Sequence, residues 1–314
     1  MRVVGAQDVH RSLDYPALID ALAAQFRAGA ETPLRHHHGI KVPDGADATL
    51  LLMPAWQEGG ALGVKLVTVF PDNGRRGLPA VQGVYLLLDG QTGVPRALID
   101  GPALTARRTA AASALAARHL ARPDARRLLM VGTGTLAPHL VRAHAAARPI
   151  AEVALWGRAP EKAERLARDL AAALPGIAVR AVRSLEEAVP AADIVSCATL
   201  ATEPLIRGAW LRPGQHLDLV GGFRPDMREA DDNAVRRGRV FVDTRAGALK
   251  EAGDIVQPLE AGVIAERDIA GDLFDLARGA PGRRNAEEIT LFKSVGTALE
   301  DLAAARLVAE RLGL

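Results

Sequence analysis

The chain has 314 residues, 49% of them hydrophobic and 24% charged, which is ordinary for a soluble globular protein and long enough for two domains. Its 39 Lys and Arg against 37 Asp and Glu leave a formal net charge of +2, and aromatics are only 4%, so no nucleic-acid partner is expected. The single Cys197 rules out an internal disulfide and suits a reducing cytoplasm. No apolar run reaches the ~20 residues of a membrane span, and the polar residues after Arg2 give no signal segment.

The first half reads as helix and hairpins. Residues 14–28 carry Leu18, Leu22 and Phe26 near helical spacing and predict an opening amphipathic helix. Residues 49–53, 64–70, 81–88 and 94–99 are β-rich runs separated by turn residues: Glu58-Gly59-Gly60, Pro71-Asp72-Asn73-Gly74 and Asp89-Gly90-Gln91-Thr92-Gly93. Strands joined by turns imply an antiparallel sheet. Pro102 then opens an Ala-rich helix that reaches about residue 120, where Arg122-Pro123-Asp124 ends it.

The second half alternates. A strand over 127–131 enters a Gly-rich turn and a helix to about residue 147. Strands over 153–156, 177–182, 194–198, 216–220 and 240–242 follow, with helices over 160–174 and from Ser184, which has capping-box spacing to Glu187. Continuous apolar strands alternating with helices predict an α/β fold with a doubly wound parallel sheet. Residues 290–312 read as one long helix.

The turn Gly132-Thr133-Gly134-Thr135-Leu136-Ala137 lies where a dinucleotide fingerprint belongs, after the first strand and before the first helix of this series. Gly132 permits the tight turn, Gly134 lets backbone approach a pyrophosphate, and Ala137 still allows close helix–strand packing. After the second strand an NAD site usually places a carboxylate on the ribose 2′-hydroxyl. Here the chain reads Trp156-Gly157-Arg158, with no acid before Glu161. A small residue followed by Arg leaves room and charge for a 2′-phosphate. NADP(H) is the expected cofactor, with NAD(H) the alternative.

Lys65 sits in Gly63-Val64-Lys65-Leu66-Val67-Thr68-Val69-Phe70, on the strand face it shares with Val67 and Val69. Desolvation there would lower its pKa, suiting a proton donor or a clamp for a substrate carboxylate; the other reading is an edge-strand guard against aggregation. Arg35 precedes His36-His37-His38. Neighbouring histidines point different ways and no second ligand cluster is evident, so no metal site is expected. Arg108, beside Arg107 on the Ala-rich helix, is by itself no more than a solvated arginine.

The segment from Gly63 to Leu120 resembles the ornithine cyclodeaminase/mu-crystallin family, through Gly63-Val64-Lys65, Pro71-Asp72-Asn73, Leu78-Pro79, Asp89-Gly90-x-Thr92-Gly93 and Leu104-Thr105-Ala106-x-Arg108-Thr109-Ala110-Ala111. Val131-Gly132-x-Gly134, Trp156-Gly157-Arg158, Val220-Gly221, Pro225-Asp226-Met227-Arg228-Glu229 and Lys293-Ser294-Val295-Gly296 extend the likeness over nearly the whole chain. The resemblance implies a mixed α+β substrate-binding and dimerisation domain over 1–120 with 288–314, and an NAD(P)-binding Rossmann-like domain over 121–287. It implies a homodimer that moves a hydride between NAD(P) and the α-carbon of an amino acid or its imine. Arg35, Lys65 and Arg108 match positions that hold the substrate and its carboxylate. Gly132, Gly134, Thr135, Ala137 and Arg158 match cofactor positions, with Thr199, Val220 and Gly221 at strand ends beside the nicotinamide.

One departure bears on the substrate. Cyclodeaminases of the resembled family carry Asp directly after the Gly-Gly or Gly-Ala pair, whereas this chain reads Gly221-Gly222-Phe223. Phe223 neither takes a proton nor pairs with a second ammonium; Asp226 and Glu229 nearby are the possible substitutes. The expectation is therefore an NADPH-dependent reductase of a cyclic ketimine carboxylate, such as 1-pyrroline-2-carboxylate to L-proline. The alternatives are an ornithine cyclodeaminase using NAD, an alanine-dehydrogenase-like enzyme, and a cofactor- or ligand-binding protein without turnover.

Overall fold

The computed structural model describes residues 1–314. In chain order the elements are β1 (Arg2–Val4), α1 (Ala6–Ser12), α2 (Tyr15–Ala28), β2 (His36–Ile40), β3 (Ala48–Trp56), β4 (Ala61–Val69), β5 (Val81–Asp89), β6 (Pro95–Asp100) and α3 (Gly101–Leu120). There follow β7 (Arg127–Val131), α4 (Ala137–Ala147), β8 (Glu152–Trp156), α5 (Pro160–Ala173), β9 (Ala178–Ala181), α6 (Leu185–Ala191), β10 (Ile194–Cys197) and β11 (His216–Leu219). The chain ends with α7 (Asp232–Arg237), β12 (Arg239–Val242), α8 (Arg245–Glu251), α9 (Gly253–Glu260), β13 (Ile269–Asp272), α10 (Leu273–Ala277), β14 (Thr290–Lys293) and α11 (Ala298–Leu312). Two compact units result, residues 1–109 with 297–314 and residues 110–296. Residues 110–120 and 288–296 thus go with the second unit, not the first.

The first unit is built on a six-stranded sheet of order β1-β6-β5-β4-β3-β2, antiparallel throughout except for β1 beside β6. Helix α2 begins where Asp14 accepts the Ala17 amide at 3.0 Å, with Pro16 in the first turn. It packs against α11, which lies on β3, β4 and β5. Strand alternation then decides which residues are covered. Met53, Lys65 and Tyr85 are register partners across β3, β4 and β5, and all three are buried. The opposite face carries Leu52, Val64, Leu66, Val84, Leu86 and Leu98, none of them fully buried.

The second unit is an eight-stranded, wholly parallel sheet of order β13-β12-β14-β11-β10-β7-β8-β9. Leu129, Val131, Val195, Cys197, Leu217, Leu219, Val240, Val242 and Leu291 fill its core, so the strands read as continuous apolar runs. From β7 the chain winds first toward β9 and then, through β10, to the other edge. The switch of direction lies between β7 and β10, where a doubly wound sheet opens a crevice at its strand ends.

The single helix expected over 290–312 is corrected by the structure. Thr290–Lys293 is β14, a central strand between β11 and β12 with all four residues buried, and the helix starts only at Ala298. Between them Asp243 accepts the amides of Val295 and Gly296, fixing a sharp loop that a continuous helix would forbid. Sequence period did not separate the two elements because a strand buried on both faces has no polar alternation. At Ser184 only half of the expected capping box is found: its hydroxyl accepts the Glu187 amide at 3.2 Å.

Candidate active site

The loops after β7, β8 and β10 in the second unit surround a cleft of about 590 Å³ lined by Gly132, Thr133, Gly134, Gly157, Arg158 and Thr199, among others. Gly132 has φ 118°, and a Cβ there would come within 2.5 Å of the Ala198 carbonyl, so this position demands glycine. A Cβ at Gly134 would meet nothing within 4 Å; it would project into open space that bare backbone leaves for an approaching phosphate. Helix α4 starts directly after this turn and turns its amide dipoles toward it. Arg158 is exposed at the rim, and Lys162, one turn into α5, lines the same cleft. The residues present therefore fit a dinucleotide: of the charged residues after β8, the cations Arg158 and Lys162 line the cleft, and its one lining carboxylate, Glu203, comes from the loop after β10. Thr135, Ala137, Val220 and Gly221 lie beside the cleft and do not line it.

The ends of β10 and β11 are tied together from below. Glu229 accepts the Thr199 amide at 2.7 Å and its hydroxyl at 2.8 Å on one oxygen, and the Gly221 amide at 2.7 Å on the other. Asp254 in turn accepts the amides of Glu229 and Ala230 and pairs with Lys293 at 3.1 Å. All three side chains are fully buried. Burial pushes Glu229 up to about 7, with Lys293 pulling it down and Asp254 pushing further up.

In the first unit Lys65, 3% exposed, and Arg108, 5% exposed, converge on one carboxylate. Asp301 of α11 lies 2.6 Å from Lys65 Nζ and accepts Arg108 Nε at 3.0 Å, while Glu300 accepts Arg108 Nη1 at 2.6 Å. Burial lowers the Lys65 pKa to about 8; Asp301 opposes that, and the charges of Arg108 and Arg35 add to it. Burial works against the Arg108 charge as well, yet Asp301 and Glu300 hold its pKa above the ordinary value. Lys65 and Arg108, both named from sequence, are thus brought together on Asp301, while Arg35, half-buried just before β2, reaches them only through its charge. Arg108 is no solvated helix arginine.

The model of the ornithine cyclodeaminase/mu-crystallin family matches residues 2–313. The chain belongs to this family. It is 47% identical over 265 residues to a Delta(1)-pyrroline-2-carboxylate reductase of Paracoccus denitrificans, covering 83% of each chain. It is 36% identical to the ketimine reductase mu-crystallin of Mus musculus, over 92% of this chain and 89% of that one. Among solved structures, the Thermococcus litoralis Delta(1)-pyrroline-2-carboxylate reductase in complex with NADH and L-proline matches with a TM-score of 0.92 at 36% identity, over 99% of this chain and 97% of that chain.

The two acids that follow Phe223 are placed differently. Asp226 forms a surface pair with Arg224 at 2.7 Å, and Glu229 is sealed beneath the strand ends. Phe223 itself is 47% exposed. The three histidines begin β2, the exposed edge strand of the first sheet, with His36 and His38 on one face and His37 on the other. Sequence reasoning missed Glu300 and Asp301. Within the helix expected over 290–312 they look like ordinary mid-helix acids, and nothing at that level marks them as buried.

Proposed function

We propose that this protein is an NADPH-dependent reductase of cyclic ketimine carboxylates, 1-pyrroline-2-carboxylate to L-proline being the simplest case. The observation that carries the reading is the buried Lys65 that shares the Asp301 carboxylate with the buried Arg108. A lysine with a pKa near 8 is charged at neutral pH yet gives its proton up readily, which suits protonation of an imine nitrogen. Arg108 and Arg35 take the substrate carboxylate. Arg108 gives Nε and Nη1 to Asp301 and Glu300, and on this reading its Nη2 serves the ligand. In the second unit Gly132 and Gly134 admit the pyrophosphate, Arg158 and Lys162 hold the 2′-phosphate, and Thr199 and Gly221 frame the nicotinamide. The bound dinucleotide supplies the hydride for the imine carbon.

The first unit is on this reading the substrate-binding and dimerisation domain and the second the cofactor domain, in a cytoplasmic homodimer. The half-exposed apolar face of Leu52, Val64, Leu66, Val84, Leu86 and Leu98 supports pairing with a second copy. No helix is long and apolar enough to cross a membrane. Phe223 favours reduction of a preformed imine over cyclodeamination, since its side chain neither takes a proton nor pairs with a second amine.

Following NADPH absorbance with purified protein and 1-pyrroline-2-carboxylate tests the reading, with L-ornithine plus NAD in parallel. Rapid NADPH loss yielding L-proline, with ornithine unreacted, is expected. Proline and ammonia from ornithine would replace the reductase reading with cyclodeamination.

A further inference from the structure

Glu300 and Asp301 occupy the first turn of α11, where acids ordinarily stay in water and favour the helix dipole. Here both are fully buried. A buried carboxylate is tolerated only when charge partners and hydrogen bonds replace its water, and Asp301 has two such partners, one on each oxygen: Arg108 and Lys65. The two together hold its pKa below the ordinary carboxylate range although burial acts the other way. It therefore remains an anion throughout the range in which Lys65 titrates.

We propose that Asp301 is the positioning residue of the proton donor: it keeps Lys65 charged in a dry, cation-crowded site and ties Nζ and the Arg108 guanidinium to one rigid carboxylate. The inference rests on the reading of Lys65 as proton donor. The groups facing Lys65 come from three elements and one loop. Asp301, and Glu300 through Arg108, belong to α11; Arg108 belongs to α3; Arg35 lies just before β2; Tyr85 on β5 is neutral because burial raises its phenol far above its usual range. Burial, Arg108 and Arg35 all favour the neutral amine, and the contacting carboxylate opposes them. In turnover one N–H bond breaks at Lys65 Nζ and one forms at the imine nitrogen. Asp301 does not take that proton, because Arg108 still neutralises it, and water restores the ammonium afterwards.

The test uses full-length protein labelled with 15N-lysine and, for the carboxyl readout, 13C-aspartate. Its five lysines, Lys41, Lys65, Lys162, Lys250 and Lys293, give few signals, and Lys65→Met assigns the relevant one. In Asp301→Asn the Lys65 Nζ midpoint should fall by about one to three pH units, the size of effect a contacting opposite charge exerts. The alkaline limb of kcat/KM should fall by the same amount, and Asp301→Glu should restore it. A purely structural role would lower the melting temperature and leave the limb in place. The wild-type protein gives a reading that no variant's folding can spoil: the Asp301 carboxyl carbon should show an inflection at the Lys65 midpoint. An unmoved Nζ midpoint in Asp301→Asn, or no shared inflection in the wild type, would overturn the role of Asp301. An alkaline limb that persists in Lys65→Met would instead overturn the reading of Lys65 as donor.

Discussion

The Glu229 carboxylate accepts the Gly221 amide at 2.7 Å, joining the end of β11 to a side chain whose other oxygen holds Thr199 at the end of β10. An ionised carboxylate accepts all three donors, whereas an amide must turn its NH2 toward one of them. Glu229→Gln should therefore leave one buried N–H unsatisfied, at about 1–3 kcal/mol. If that strain falls on the strand ends, NADPH Kd rises roughly tenfold in fluorescence titration. Unchanged affinity would show that Glu229 serves stability alone.

Lys65→Met should lower kcat about 10²- to 10⁴-fold, the usual contribution of a positioned proton donor. NADPH binding should persist, because Lys65 and the dinucleotide cleft belong to different units. Folding should survive too, since Arg108 still pairs with Asp301. Full turnover in steady-state assays would remove Lys65 from the chemistry.

Arg158 and Lys162 line the cleft where an NAD site would carry an acid. Removing one charge-assisted contact to a phosphate costs about 1.5–3 kcal/mol, so Arg158→Ala should weaken NADPH about 10- to 100-fold and leave NADH nearly unchanged. Lys162→Ala should act in the same direction. Equal losses for both nucleotides would assign the two cations to another part of the cofactor.

His216 is fully buried, and desolvation lowers its pKa from 6.5 to about 3. A base with a depressed folded pKa stabilises the fold fully above pH 6.5, and that contribution is lost as the pH falls toward 3, by at most about 1.4 kcal/mol per pH unit. Glu229 has the opposite sign: its raised pKa penalises the fold above about 7 and is relieved on acidification. Asp218, held low by His144 against burial, matters only below the ordinary carboxylate range. The clean measurement is therefore a difference. Between pH 6.5 and 4.5, melting temperature should drop more in the wild type than in His216→Gln. Parallel curves would mean that His216 is hydrated or charged in the fold.

Leu66 is 39% exposed in the middle of an apolar sheet face. Leu66→Asp adds a charge that a second copy would have to bury unpaired, and it should convert a dimer to monomer in analytical ultracentrifugation. A dimer unaffected by this change would use another surface.

Much of this protein was legible in its sequence. Turn residues and strand runs announced the antiparallel sheet of the first unit, and alternating apolar strands and helices announced the parallel sheet of the second. The Gly132–Ala137 turn is readable because its requirements are local: a positive φ at one residue and no side chain at another. Arg158 is legible for the same reason, its place being fixed by the strand before it. The family likeness added Arg35 and Arg108, which no local pattern distinguishes from surface arginines.

What sequence withheld depended on distant partners. Thr290–Lys293 became a strand because β11 and β12 supply its hydrogen bonds from both sides, 71 to 77 residues away for β11. Lys65 was ambiguous between a clamp and an edge guard until α11, more than 230 residues later, placed Asp301 2.6 Å from its amine. Local chemistry therefore determined which segments fold as helix, turn or strand and where a phosphate can approach. Burial and charge pairing were decided by the tertiary structure, because desolvation and Coulomb energy depend on which remote groups displace water around a side chain.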